Sequence, residues 1–200
     1  GTAAALATPG EPAEIHRIQQ ALLCDGAYLI GVRNQDPADA ARQAQVRASS
    51  ETAEGPAALV LNGVTRATSP ELHPSLERCS NRWMSARLPA WLELRWPRAR
   101  PISEVQLTFD TGFQRELTMT VSEAFRRKMV RGPQPETVKD YRLEALSADG
   151  AVAARVEVRG NYLGRRVHRF AAPIHAGAVR LTVDATNGAP EARVFEVRVY

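Results

Sequence analysis

Cysteine, aromatic residues and long apolar segments are all scarce in this chain of 200 residues. Cys24 and Cys79 are its only cysteines, which excludes a disulfide-stabilised scaffold and a cysteine-rich metal cluster. Phenylalanine, tryptophan and tyrosine together make up 6% of the sequence. No apolar run approaches the roughly 20 residues that a membrane-spanning helix needs, so we predict no membrane span.

Lysine is nearly absent as well, although the chain is basic. It occurs only at Lys128 and Lys139, and the formal net charge of +4 therefore comes from arginine. The arginines are scattered rather than clustered, which argues against a nucleic-acid partner. The four histidines are too far apart for the usual zinc-ligand spacing. No Ser/His/Asp or Cys/His arrangement indicates a nucleophilic catalytic site, so we assign no catalytic residue.

Alternation of apolar and polar residues fills most of the chain after residue 45. Leu92, Leu94 and Trp96 alternate with Glu93 and Arg95, a pattern typical of a strand with one buried face. Similar short segments recur every ~8–12 residues and are separated by turn sequences such as Asn-Gly. The sequence therefore predicts a mainly β chain, an antiparallel jelly-roll β-sandwich, preceded by a short helical segment.

Two prolines separate the most regular of these segments. Pro97 and Pro101 lie between a segment that ends at Trp96 and one that begins at Val105. Because proline has no N–H to donate to a sheet, we predict that residues 97–101 form a turn between two separate strands.

The first residues have a helical pattern instead. Gly1, Thr2 and Ala3 open an alanine-rich stretch with high helix propensity. Residues 14–24 follow with apolar side chains at helical spacing. A helix N-terminus formed by such small residues leaves free N–H groups that a ligand can approach closely.

A third helix start precedes the β-rich region. In Asp36-Pro37-Ala38-Asp39, Asp36 is suited to cap a helix that has proline at its first position. We place a domain boundary near Ala41, which gives a helical domain in residues 1–40 and a β-sandwich domain in residues 41–200.

Several motifs in the β-rich region resemble those of a known domain family. Asn62-Gly63, the run Asn81-Arg82-Trp83-Met84-Ser85, residues 88–94 and the closing residues 195–200 are similar to segments of discoidin-like (F5/8 type C, galactose-binding-like) jelly rolls. The resemblance covers roughly residues 45–200. It implies that this region is a ligand-binding or docking module, with a glycan as one class of partner.

The same resemblance implies candidate binding residues. Arg82, Trp83 and His73 are candidates for ligand contact, although the tryptophan at this position packs in the core of many discoidin-like domains. Such domains also often bind a structural Ca²⁺ through loop carbonyls and a carboxylate near the last strand. Glu196 and Asn62 are the residues that match, with asparagine in place of the usual acid. The alternative is that Glu196 pairs with an arginine.

The front of the chain resembles a different family. Residues 1–7, 22–28 and 31–39 look like the C-terminal end of the flavin domain of bacterial FAD-dependent oxidoreductases. The resemblance implies that the helix start at Gly1, Thr2 and Ala3 contacts the flavin ring, where the positive end of a helix stabilises the charge of reduced flavin.

The rest of a flavin-binding fold is missing from the sequence. It contains no Gly-x-Gly-x-x-Gly motif, so the pyrophosphate-binding unit of an FAD enzyme must lie upstream, in the same parent chain. We therefore expect this segment alone to be non-catalytic. The leading hypothesis is the C-terminal part of an FAD-dependent oxidoreductase whose jelly roll docks or binds a ligand. The alternatives are a stand-alone carbohydrate- or surface-binding module and a purely structural interaction domain.

Overall fold

The computed structural model describes Asn34 and residues 36–71, 76–112 and 122–200, most of which form β-strands. The strands are β1 Gln45–Ala48, β2 Trp83–Met84, β3 Ala90–Phe109, β4 Val138–Leu146, β5 Val152–Val158, β6 Arg165–Thr186 and β7 Arg193–Val199. The described helical elements are α1, Glu123–Lys128, and the 3-10 helices Ala40–Gln43 and Ala57–Leu61. None of these helices is long and apolar enough to cross a membrane.

The strands pair antiparallel throughout the described part of the chain. Their order is β2-β7-β3-β6-β4-β5, with β1 added alongside β3. The two outer strands do not pair with each other, so the sheet is open rather than a closed barrel. The predicted mainly β, antiparallel jelly roll is confirmed.

Two long strands belong to both layers of the sandwich. The first half of β3 pairs with β1 and with the second half of β6, and β4 and β5 extend this layer. The second half of β3 pairs with β7 and with the first half of β6, and β2 completes this layer. The chain thus folds one continuous ladder over on itself, and the core lies between the two halves.

The predicted turn at residues 97–101 is wrong, because β3 runs through it without a break. Pro97 and Pro101 lie in the bend where β3 passes from one layer to the other. The ladder with β6 is interrupted between Arg95 and Arg100, so a missing proline N–H removes little there.

Alternate side chains of β3 fill the core. Leu92 and Leu94 are 0% and 1% exposed, as the alternation predicted. Trp96 is 6% exposed and its indole N–H donates to Ala40 O at 2.9 Å. Each such side chain contributes roughly 2–3 kcal/mol through the removal of apolar surface from water.

One polar pair lies inside this core. Tyr141 Oη is 2.9 Å from His168 Nε2, and the Tyr141 ring packs edge-on against Phe109 with 5.3 Å between ring centroids. Burial lowers the pKa of His168, and neighbouring Arg166 lowers it further. Burial raises the pKa of Tyr141 to about 12. The pair is therefore neutral near pH 7.

Arginines and carboxylates cover the outer face of the layer that contains the first half of β3. Glu93 is only 5% exposed there, because Arg95 and Arg180 close over it, each with Nε at 2.9 Å from a carboxylate oxygen. The Arg180 guanidinium also lies over the Trp91 ring, 5.1 Å from its centroid. Charged side chains thus bury a sheet face that the alternation of polar residues predicts to be exposed to solvent.

Residues before the predicted boundary are tied to the sandwich. The Asp39 carboxylate accepts hydrogen bonds from the backbone N–H groups of Ala41 and Val199, both at 3.0 Å, and Tyr200 Oη donates to Asp36 at 3.0 Å. Asp39, rather than the predicted Asp36, is the N-cap of the 3-10 helix. Asp36 and Asp39, which precede Ala41 in the sequence, therefore contact Tyr200 and the end of β7. The rest of the predicted helical domain, residues 1–33, is outside the described residues.

Candidate ligand-binding site

A cavity of about 1020 Å³ opens beside β2 and β7. Its walls come from residues 53–59, 66–69 and 78–82, together with one residue that follows β3 and one on β7. The lining residues are Ala53, Glu54, Pro56, Leu59, Arg66, Ala67, Thr68, Ser69, Arg78, Cys79, Ser80, Arg82, Asp110 and Phe195. Charged and hydroxyl-bearing side chains therefore share the cavity with apolar ones.

Asn81 holds one wall of the cavity in shape. Its side-chain Nδ2 donates to Arg66 O at 2.9 Å and Thr68 Oγ1 at 3.0 Å, and Thr68 and Cys79 exchange two backbone hydrogen bonds. Asn81 has a φ of +51°, which asparagine tolerates better than most residues. The asparagine thus fastens both ends of the loop between Thr68 and Cys79.

The floor of the cavity is an ion-pair cluster. Arg82 Nη1 lies 3.2 Å and Arg193 Nη1 lies 3.5 Å from Asp110 Oδ2. Asp110 is 1% exposed. Arg193 also donates to Glu191 from Nε at 2.8 Å. Burial lowers the pKa of Arg82, Asp110 opposes that shift and Arg193 adds to it, yet an arginine remains charged.

Two buried atoms of this cluster lack a hydrogen bond within the described part of the chain. They are Arg82 Nε and Asp110 Oδ2, the second of which is close enough to arginine for an ion pair but is not aligned for a hydrogen bond. The Arg82 guanidinium lies over the Phe195 ring, 5.5 Å from its centroid. Because the stacked ring limits its movement, the Arg82 guanidinium is held against the Asp110 carboxylate.

Of the predicted ligand-contact residues, the structure describes Arg82 and Trp83. Arg82 lines the cavity. Trp83 is 0% exposed and its indole N–H donates to Ser50 O at 2.9 Å, which is the position that the core alternative requires. His73 lies outside the described residues, as do Gly1, Thr2 and Ala3, so their predicted roles stay predictions.

The predicted calcium ligands are engaged within the protein. Asn62 accepts from Val64 N and donates to Asn81 Oδ1, both at 2.8 Å. Glu196 accepts from Arg198 Nε at 2.8 Å, which is the arginine pairing left open by the sequence, and its Oε1 has no hydrogen bond among the described residues.

These two residues do not fit a calcium site by themselves. They leave one uncommitted carboxylate oxygen, on Glu196, whereas Ca²⁺ takes six to eight oxygen ligands. The loop oxygens of Arg66 and Thr68 face the amide nitrogen of Asn81. Among the residues that the structure describes, no group of three or more His, Cys, Asp or Glu side chains could hold a metal ion.

Sequence reasoning missed Asp110 and Phe195. Asp110 follows the alternating segment that ends at Phe109, and Phe195 sits in the last strand, where it looks like a core residue. They meet Arg82 because Phe109 pairs with Val194 across β3 and β7. The contact of Asp110 and Phe195 with Arg82 cannot be predicted from the sequence unless the register of β3 and β7 is known.

Comparisons with known proteins identify the fold. By sequence, the chain matches no protein-family model and no curated protein. By structure, it is similar to the family 32 carbohydrate-binding module of NanJ from C. perfringens, solved in complex with galactose. That match has a TM-score of 0.53 and 19% identity over 80% of this chain and 94% of that one.

Two modules from Streptococcus pneumoniae are similar to the same extent. The family 32 carbohydrate-binding module of EndoD matches with a TM-score of 0.54 and 23% identity, over 78% of this chain and 94% of the module. A fucose-binding module matches with a TM-score of 0.56 and 12% identity, over 84% and 99%. The chain therefore has the discoidin-like, galactose-binding-like jelly-roll fold of these carbohydrate-binding modules.

Proposed function

We propose that this chain is a ligand-binding module that holds a carbohydrate in the cavity beside β2 and β7. The observation that carries the proposal is the ion pair of Arg82 and Asp110, a charged donor and a charged acceptor in the lining of the cavity. A ligand hydroxyl that bonds to either charged group would contribute about 1.5–3 kcal/mol to binding.

Sugar hydroxyls suit this pair. A hydroxyl both donates and accepts, so one group can donate to the Asp110 carboxylate and accept from the Arg82 guanidinium. Hydrogen bonds to charged groups are roughly twice as strong as those between neutral groups. Phe195, which is 5% exposed, serves to hold the guanidinium in place rather than to offer its own face to a ligand.

The fold supports the same proposal. The modules to which this chain is similar include one solved with galactose and one described as fucose-binding. Sequence identity of 12–23% supports a similarity of fold alone, so the type of sugar has to be inferred from the residues that line the cavity. Its mixed charge, with Arg66, Arg78 and Arg82 against Glu54 and Asp110, favours a neutral ligand rich in hydroxyls.

A glycan array probed with the full chain tests the proposal. We expect Asp110→Asn to weaken binding to the best-bound glycan at least tenfold, since a charged acceptor is lost while the shape is kept. Arg98→Gln is the matched control, because Arg98 is exposed in the bend of β3, away from the cavity. Circular dichroism checks that both variants are folded. Equal binding by Asp110→Asn and the parent chain would exclude this cavity as the site.

We further propose, from the sequence alone, that the jelly roll belongs to an FAD-dependent oxidoreductase. The support is the run of matches in residues 1–7, 22–28 and 31–39. A module without catalytic activity fits the fold equally well. Translation of the DNA upstream of Gly1 and an absorption spectrum of the longer polypeptide decide between them. A colourless protein with no upstream dinucleotide-binding fold would end the oxidoreductase proposal.

A further inference from the structure

One short loop displays an aromatic ring to solvent. Tyr162 is 65% exposed and the adjacent Leu163 is 44% exposed. They lie between Gly160 and Gly164, in the connection from β5 to β6. Among the described residues, only five large apolar side chains are exposed, and these two are adjacent.

The loop is fixed in place by the residue before the tyrosine. Asn161 is 2% exposed, and its side-chain Nδ2 donates to Val138 O at 2.7 Å and Leu163 O at 3.1 Å. Its backbone N–H donates to Lys139 O at 2.8 Å. Gly160, at a φ of +66°, makes the turn that these bonds require. Tyr162 is therefore displayed on a preorganised backbone, so less entropy is lost when it meets a ligand.

Hydrogen bonds connect this loop to the cavity. Thr137 Oγ1 donates to Asp110 O at 2.9 Å, and Asn187 Nδ2 donates to both Thr137 O and Asn161 O at 3.0 Å. Asp110 belongs to the floor of the cavity, and Tyr162 follows Asn161 directly. The displayed ring and the cavity thus lie at the same end of the sandwich, joined by neighbouring loops.

We infer that Tyr162 is a second sugar-contact residue, against which the apolar face of a pyranose ring packs while another sugar of the same ligand occupies the cavity. The inference rests on the proposed carbohydrate-binding function and deepens it: the ligand is an oligosaccharide rather than a single sugar. A tyrosine ring offers a flat apolar surface at low conformational cost, and its hydroxyl stays in contact with water.

The small extent of the exposed apolar surface favours a sugar over a macromolecular partner. A specific protein partner covers roughly 800 Å² on each side, whereas the apolar display here consists of two adjacent side chains. The connection to a cavity lined by a charged donor and a charged acceptor also favours a ligand with both polar groups and apolar ring faces.

The test compares short and long ligands on the full chain. The array holds galactose, fucose and glucosamine, each as a monosaccharide and as oligosaccharides of two to four units. We expect Tyr162→Ala to weaken oligosaccharide binding about tenfold and to leave monosaccharide binding unchanged. Tyr162→Phe should bind as the parent chain does, because the ring is retained. Val152→Ser, at the exposed valine that begins β5, is the control for loss of surface apolarity.

The outcomes separate this inference from the proposed function. Parent-like oligosaccharide binding by Tyr162→Ala, with Asp110→Asn impaired, overturns the inference and leaves the cavity as the site. Equal losses for single sugars and oligosaccharides also overturn it, because Tyr162 would then contact the sugar in the cavity. Binding that Asp110→Asn does not change overturns the proposed function instead. A parent chain that binds no glycan on the array overturns both.

Discussion

Glu93 illustrates how a single charged residue can be part of the packing. It is almost fully buried on the outer face of the sheet beneath Arg95 and Arg180. We expect Glu93→Gln to lower the free energy of unfolding by about 1.5–3 kcal/mol, because two guanidinium groups lose the carboxylate that accepts from them. Urea denaturation followed by tryptophan fluorescence measures the change.

The same sheet provides the matched control. Glu157 pairs with Arg159, and both side chains are about half exposed or more. Because exposed ion pairs contribute little, Glu157→Gln should change stability by less than about 0.5 kcal/mol. If the two variants lose the same stability, burial of Glu93 is not what makes its ion pairs strong.

His168 should make the fold sensitive to mild acid. Burial lowers its pKa below the usual 6.5, so the unfolded chain binds more protons than the folded one once the pH drops below about 6.5. The stability contributed by neutral His168 is therefore complete above that pH and is lost as the pH falls toward the lowered folded-state pKa. Urea midpoints between pH 7.5 and 5.5 give the slope.

Two histidine variants test whether this one residue causes the slope. His168→Gln should flatten the stability profile between pH 7.5 and 5.5, while His175→Gln, at an exposed position, should leave it unchanged. A profile that keeps its slope in His168→Gln would assign the acid sensitivity to other groups.

At the scale of elements, the loop between Thr68 and Cys79 depends on the Asn81 side chain. Asn81→Gly keeps a residue that accepts a φ of +51° but removes the hydrogen bonds to Arg66 and Thr68. We expect faster tryptic cleavage at Arg66 and Arg78 and a loss of about 1–2 kcal/mol in stability. Asn81→Ala should be less stable than Asn81→Gly by up to about 1–2 kcal/mol, since alanine is strained at this φ.

The elements also show which features the sequence makes predictable. The alternation of Leu92, Leu94 and Trp96 correctly predicted the buried face of β3. Pro97 and Pro101 suggested a turn, but the strand continues through them. The missing N–H of proline can be inferred from the sequence. Whether the chain bends or turns at these prolines depends on where β6 pairs with β3. That partner strand lies more than 60 residues away along the chain.

At the scale of the whole molecule, calcium removal tests the fit of the predicted metal ligands. Since Asn62 and Glu196 already bond within the protein, we expect the Tm to be the same in EDTA and in excess CaCl₂. A Ca²⁺ site in the presence of free ion at 100 times its Kd would add about 2.7 kcal/mol to the free energy of unfolding. That gain would raise the Tm by several degrees for a chain of this size. A rise in Tm with CaCl₂ that is lost in Glu196→Gln would instead support the calcium prediction.

The candidate site was predictable only in part, for reasons that also belong to the whole molecule. The sequence indicates Arg82 as a ligand-contact residue because its neighbours in sequence resemble those of a known domain. Asp110 and Phe195 gain their role from the pairing of β3 with β7, and Tyr162 gains its exposure from the buried anchor Asn161. Such roles arise from contacts between residues that are far apart in sequence, so they cannot be predicted from composition and periodicity.

The passage of β3 and β6 through both layers has a mechanical consequence. Two independent sheets held by apolar contact could slide over each other under load, but here covalent backbone crosses from one to the other twice. A load on one layer would therefore reach the other along the peptide bonds of β3 and β6. The sandwich would resist shear more than two sheets joined only by side-chain packing.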